Sequence, residues 1–200
     1  MGRVEVSSSR ALIAVALFSS IICLLIAPTA LPESYSVAEH TTSEAAAQAT
    51  EGAWLARTGL VLFGLGVFCL GIVKRGWPES GRLLHALFGL LLIAAAVYSH
   101  RPFRDGVAYD TVEDLLHSVA ATAMGFAFAA GVLVVGWRRI PRWSRIDVIA
   151  LVAAVAIPIA MSATDGYDGV LQRGMFAIAY LWYLLEVKDT RRKMAFDTVG

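Results

Sequence analysis

The stretch 115-LLHSVAATAMGFAFAAGVLVVGW-137 runs for twenty-three residues without an Asp, Glu, Lys or Arg. At the helical rise it reaches ~35 Å, enough to cross a hydrocarbon core of about 30 Å. Lipid offers no partner to backbone N–H and C=O groups, so a segment of this kind crosses as a helix. Five other stretches read the same way: Ala11–Ala27, Trp54–Val73, Leu83–Ser99, Val148–Ala163 and Val170–Leu185. The expectation is an all-α, polytopic six-transmembrane-helix bundle, a single domain over residues 1–200. Its outer loop, 28–53, is rich in helix formers between Ser43 and Glu51 and predicts a short helix there.

Composition agrees with the spans. At 58% apolar and 16% charged, the chain holds more apolar area than a 200-residue soluble globule buries. Sorted alternately from an inner N-terminus, the loops place thirteen of the seventeen Lys and Arg residues on one side. They are Arg3, Arg10, Lys74, Arg75, Arg82, Arg138, Arg139, Arg142, Arg145, Lys188, Arg191, Arg192 and Lys193. The positive-inside rule then predicts a multi-pass protein of the cell membrane with both termini cytoplasmic. Its basic rim suits membrane lipids, and no nucleic-acid motif is present. Arg3 and Arg10 precede an apolar run ending in Ala27-Pro28-Thr29-Ala30, a weak cleavage-like pattern, and the first span reads as retained. Cys23 and Cys69 fall at different depths and do not predict a disulfide.

Ten of the sixteen carboxylates fall on the opposite, outer side. Part of that bias is helix chemistry, because the outer ends of the second, fourth and sixth spans are N-termini. Thr41-x-x-Glu44, Thr111-x-x-Asp114 and, on the inner side, Ser144-x-x-Asp147 fit the capping-box pattern. Asp165 and Asp168 read as acids complementing the start of the last helix.

The remaining outer polar residues define a candidate site. His117 precedes Ala121, Gly125 and Ala129 at four-residue spacing, a small-residue face suited to a second copy or a membrane-protein partner. Asp114 shares that side of the helix. Ionisable groups at the membrane are costly and are functional candidates by default, with an interhelical hydrogen bond as the structural alternative. Arg173 cannot deprotonate, so it must find a carboxylate, water or a ligand anion. His117, Asp114, His40 and Arg173 are therefore candidate catalytic residues, with Ser43, Glu44, Gln172 and His100 as candidate ligand contacts. His40, His100 and His117 are candidate zinc ligands, though no HExxH or HxxxH spacing accompanies them.

Two features carry a family resemblance. One is Tyr35-Ser36-x-x-Glu39-His40-Thr41-x-Ser43-Glu44 after the first span. The other is His117 together with the Gly169-x-x-Gln172-Arg173 start of the last helix. These resemble a bacterial and archaeal six-span family catalogued as domain of unknown function 998. That resemblance implies a six-helix bundle with one polar site on the extracytoplasmic side, and no established activity. More distantly it is similar to seven-span membrane hydrolases such as alkaline ceramidases and progestin/adiponectin-type receptors. Their last helix carries paired histidines where this chain has Arg173 and no His.

Two functions stay open at this point. In the first, the chain is a lipid-active hydrolase with His117 and His40 as bases or metal ligands, Asp114 orienting His117 and Arg173 stabilising an anion. In the second, it is a non-catalytic binding or assembly protein whose polar cluster is an interhelical network. A transporter lacks the mid-membrane ionisable residues it needs. A bis-His haem protein requires His100 and His117 to pair at one depth, and a retinal protein lacks a lysine within a span.

Overall fold

The structure, a computed structural model, describes residues 2–139, 143–164 and 166–188, with side chains from Ser9 onward. The predicted cap Asp165 and the charges Arg142, Arg191, Arg192 and Lys193 lie outside the described residues, as does the side chain of Arg3. Among the described residues seven α-helices make up the fold: α1 (Gly2–Ile26), α2 (Thr42–Ala45), α3 (Ala53–Val73), α4 (Glu79–Val97), α5 (Thr111–Trp137), α6 (Arg145–Ala163) and α7 (Asp168–Lys188). A 3-10 turn, Ala27–Ala30, extends α1, and there is no strand among the described residues.

Several helices begin before the apolar windows because their caps sit in polar sequence. Asp110 caps α5 by accepting from the N–H groups of Val112 and Glu113, one residue before the expected Thr111. Ser144 and Asp147 form the expected capping box at α6, and Thr41 and Glu44 form the one at α2. The predicted short outer helix closes after a single turn. Beyond it, Arg57 takes the carbonyls of Ala46 and Ala47, and Gln48 N–H bonds His100 O, so the backbone is claimed from outside.

Among the described residues, five helices are long and apolar enough to cross a membrane: α1 with its 3-10 extension, α3, α4, α5 and α6. The chain is therefore a helical membrane protein. The sixth expected span corresponds to α7, whose 21 residues match the others in length. It falls short in hydropathy because it carries Gln172, Arg173, Tyr180, Trp182, Tyr183 and Glu186. The last four of these are buried against protein.

The long helices follow one another around a ring. α3 packs between α1 and α4, α4 between α3 and α5, and α6 between α5 and α7, which returns to α1. Two kinds of packing hold the ring. Between α3 and α4 the backbones nearly touch: a Cβ at Gly64 would lie 2.6 Å from Gly89 O, and one at Gly89 2.5 Å from Gly64 O. Across the interior the spacing is set by rings instead. Phe63 of α3 stacks on Tyr180 of α7 with centroids 3.9 Å apart, and Phe88, Phe128, Trp182 and Tyr183 complete the layer.

The small-residue face of α5 is half-buried at Ala121, Gly125 and Ala129. A Cβ at Gly125 would meet nothing within 4 Å. The buried row runs instead through His117, Ala120, Met124, Ala127 and Gly131, facing α4, where His85 lies against Gly131. α6 is held only by its first half. Asp147, Ala150 and Ala153 are buried, whereas Val155 and Ile159 beyond them are exposed.

Candidate functional site

Polar residues gather at both ends of the ring. At the end bearing the 31–52 loop, α7 begins with Gly169, Gln172 and Arg173, and all three hold that loop. Arg173 Nη1 donates to the carbonyls of Val37 (2.8 Å), His40 (2.8 Å) and Gly169 (3.0 Å). Its Nη2 donates to the Tyr35 hydroxyl at 2.5 Å. That hydroxyl donates in turn to the carbonyl of Thr41 (2.9 Å). Burial pushes the Tyr35 phenol above its ordinary pKa, and the adjacent guanidinium partly opposes the shift.

Gln172 Oε1 accepts from the Thr42 N–H at 2.7 Å and from the Thr42 hydroxyl. Gly169 is required by approach: a Cβ there would stand 2.4 Å from Val37 O and 2.5 Å from His40 O. Glu44 is engaged in the capping box, accepting from the Thr41 N–H at 2.7 Å. Ser43 stands in α2, and its hydroxyl makes no hydrogen bond to His40. The His40 Nδ1 accepts from the Ser36 N–H at 2.9 Å, which places the ring proton on Nε2.

His117, His100 and Asp114 form a second, separate group where α4 meets α5. His117 Nδ1 donates to Ala95 O (2.7 Å) and Tyr98 O (2.9 Å), satisfying carbonyls that the end of α4 leaves open. The His100 ring lies 5.2 Å from it, and His100 Nε2 is 3.9 Å from Asp114 Oδ1. Asp114 accepts from the Arg101 N–H at 2.8 Å. Phe103 packs on the first group, with its ring 4.5 Å from that of His40 and 5.6 Å from that of Tyr35. Among the described residues, no three His, Cys, Asp or Glu side chains stand together as a metal site.

Gln48 and Tyr35 belong to this end and were not singled out in the sequence. Gln48 bonds the backbone of Asp110 through both ends of its amide, at 2.7 and 3.0 Å, and reaches Ser99 O at 2.9 Å. A lone Gln in an alanine-rich run gives no signal of that role. Tyr35 lies inside the family-like motif, but its bond to Arg173, 138 residues away in the chain, is invisible without the fold.

The opposite, basic end holds a cluster that sequence reasoning missed. Asp147 (0% exposed) and Glu186 (2% exposed) are both buried there. Arg139 bridges them, 3.4 Å from Asp147 and 2.9 Å from Glu186. Trp182 Nε1 donates to Asp147 at 2.8 Å, and Trp77 Nε1 to Glu186 at 2.9 Å. Lys74 lies 3.9 Å from Glu186 and donates to its carbonyl. His85 sits between the two indoles, 4.6 Å from Trp77 and 4.8 Å from Trp182, with Nδ1 2.9 Å from the Tyr183 hydroxyl. The cap reading of Asp147 stands, but only the fold adds the arginine and the indole. Glu186 follows directly on the last apolar stretch, and nothing in its local sequence marks it as buried.

A ring of apolar helices closed by polar clusters at both ends defines a helical membrane protein. The chain belongs to the family described as Protein of unknown function (DUF998), whose model matches residues 12–186. Neither the curated proteins nor the solved structures contain a match.

Proposed function

We propose that this chain is a non-catalytic membrane binding or assembly protein, crossing the cell membrane six times with both termini cytoplasmic. The observation that carries this reading is the engagement of Arg173. Its hydrogen bonds go to three backbone carbonyls and to Tyr35, so this guanidinium organises the loop rather than facing a ligand. His117, Glu44 and Gln172 are likewise engaged with backbone. For α7 as a sixth span, 21 residues give about 31 Å of helix, and Gln172, Arg173, Tyr180, Trp182, Tyr183 and Glu186 along it each bond to other parts of the protein. The open face at Ala121, Gly125 and Ala129 is the assembly surface, for a second copy or another membrane protein. The test pairs His117→Asn and Arg173→Gln with a lipid ester, amide and phosphodiester panel. Lower thermal stability or partner retention with no turnover is expected. Turnover that His117→Ala abolishes overturns it.

One observation favours the second reading, a lipid-active hydrolase. His117 Nδ1 is held by carbonyls, which leaves the Nε2 lone pair as a base beside His100 and Asp114. In that reading His40 and Arg173 act from the neighbouring group, and Ser43, Glu44, Gln172 and His100 contact the lipid. A zinc ion belongs to it only if it recruits ligands beyond the described grouping, and metal analysis of the purified protein decides this.

A further inference from the structure

At the basic end, where the start of α4 meets the end of α5, a cleft of about 620 Å³ opens beside Trp77. It is a shallow cleft, open to the side, rather than an enclosed cavity. Glu79, Ser80, Leu83 and Arg138 line it together with Trp77. From these residues we propose that the cleft binds a glycerophospholipid whose headgroup joins a phosphate to a primary ammonium, as in phosphatidylethanolamine.

Each part of that ligand has a counterpart on the wall. Arg138 is exposed and makes no ion pair among the described residues, in contrast to its neighbour Arg139, which is engaged inside. It is the group for the phosphate, with the Ser80 hydroxyl beside it. Glu79 is exposed and makes no ion pair among the described residues, and its carboxylate can accept hydrogen bonds from a primary ammonium, which a quaternary one does not offer. A cleft offering both signs suits a zwitterion better than an anionic lipid. Trp77 is a firm wall because its indole N–H is tied to buried Glu186.

The acyl chains identify the ligand as a lipid rather than a soluble phosphate. Leu83, at the cleft, begins an exposed row that continues through Leu87, Leu90 and Val97 along α4. Arg138 stands at the head of a similar row on α5, through Trp137, Leu133 and Phe126. A headgroup in the cleft therefore has apolar tracks leading from it along two helices. This inference does not depend on the reading of the loop end.

The test is lipid retention by the full-length protein, delipidated in detergent and titrated with phosphatidylethanolamine, phosphatidylglycerol or phosphatidylcholine under native mass spectrometry. Phosphatidylethanolamine is expected to bind best. Arg138→Gln should weaken it about tenfold, the equivalent of one charge-assisted hydrogen bond. Ser80→Ala should weaken it less, and Glu79→Gln should bring phosphatidylethanolamine to the level of phosphatidylglycerol. All three positions are exposed, and unchanged lipid-free unfolding midpoints verify that the variants fold. Equal retention of the three lipids by the unmodified protein, or unchanged retention by Arg138→Gln, overturns the proposal. So does displacement of bound lipid by glycerophosphoethanolamine, which has no acyl chain, at the same concentration as the intact lipid.

Discussion

The Trp182 indole N–H meets the Asp147 carboxylate at 2.8 Å, joining the last helix to the first turn of α6. Asp147 also closes the α6 capping box and faces Arg139. Asp147→Ala should therefore cost about 3 kcal/mol or more, because it leaves buried donors and a cation without their acceptor. Asp147→Asn should recover part of that loss, since an amide oxygen still accepts from Trp182. Thermal unfolding in detergent, followed by tryptophan fluorescence, measures both.

Arg173→Gln should free the 35–42 loop. Losing the guanidinium removes donors to three carbonyls and to Tyr35, at roughly 1 kcal/mol for each buried bond that water does not replace. Faster amide exchange over residues 36–42 is the expected readout. Arg173→Lys should not restore protection, because one ammonium lacks the planar fork that reaches these acceptors.

Gly169→Ala should destabilise the same loop by about 1–3 kcal/mol without touching a polar group, because its Cβ meets backbone oxygens. Exchange that loosens in Gly169→Ala as it does in Arg173→Gln would show that loop docking, not charge, sets stability there.

Gly64→Ala and Gly125→Ala should separate cleanly. The first drives a Cβ into Gly89 O across the α3–α4 contact and should lower the unfolding midpoint. The second meets open space and should be neutral or gain about 0.5–1 kcal/mol of helix propensity. If the open α5 face assembles copies of this chain, Gly125→Leu should lower the oligomeric state in crosslinking while the monomer stays folded.

Alkaline pH should loosen the loop end. The Tyr35 phenol is raised above 10.0 in the folded chain, chiefly by burial. Its contribution is thus fully present below pH 10 and is lost as pH rises through the folded value. Amide exchange at residues 36–42 should accelerate above that pH, and Tyr35→Phe should remove the added pH dependence.

Much of this was readable from residue types. The apolar stretches, the caps at Thr41 and Ser144, and the grouping of His40, His100, His117 and Arg173 toward one end follow from local pattern and helix direction. The α5 cap moved by one residue to Asp110 because its carboxylate reaches two N–H groups. Small residues alone do not make a close internal contact, since approach depends on the neighbour's surface as much as on the helix's own. Gly64 and Gly89 meet that condition, and Gly125 does not.

By itself the sequence determined that this is a helical membrane protein, because hydrocarbon length and backbone satisfaction are properties of each segment alone. Tertiary structure decided how the polar residues are used. It divided the loop-end candidates into an Arg173-centred loop anchor and a His117–His100–Asp114 group. It also brought Asp147, Glu186, Arg139, Trp77 and Trp182, spread over four segments, into one cluster. Such pairings depend on which helix faces join across the ring, and residues far apart in the chain record no trace of that in their local pattern.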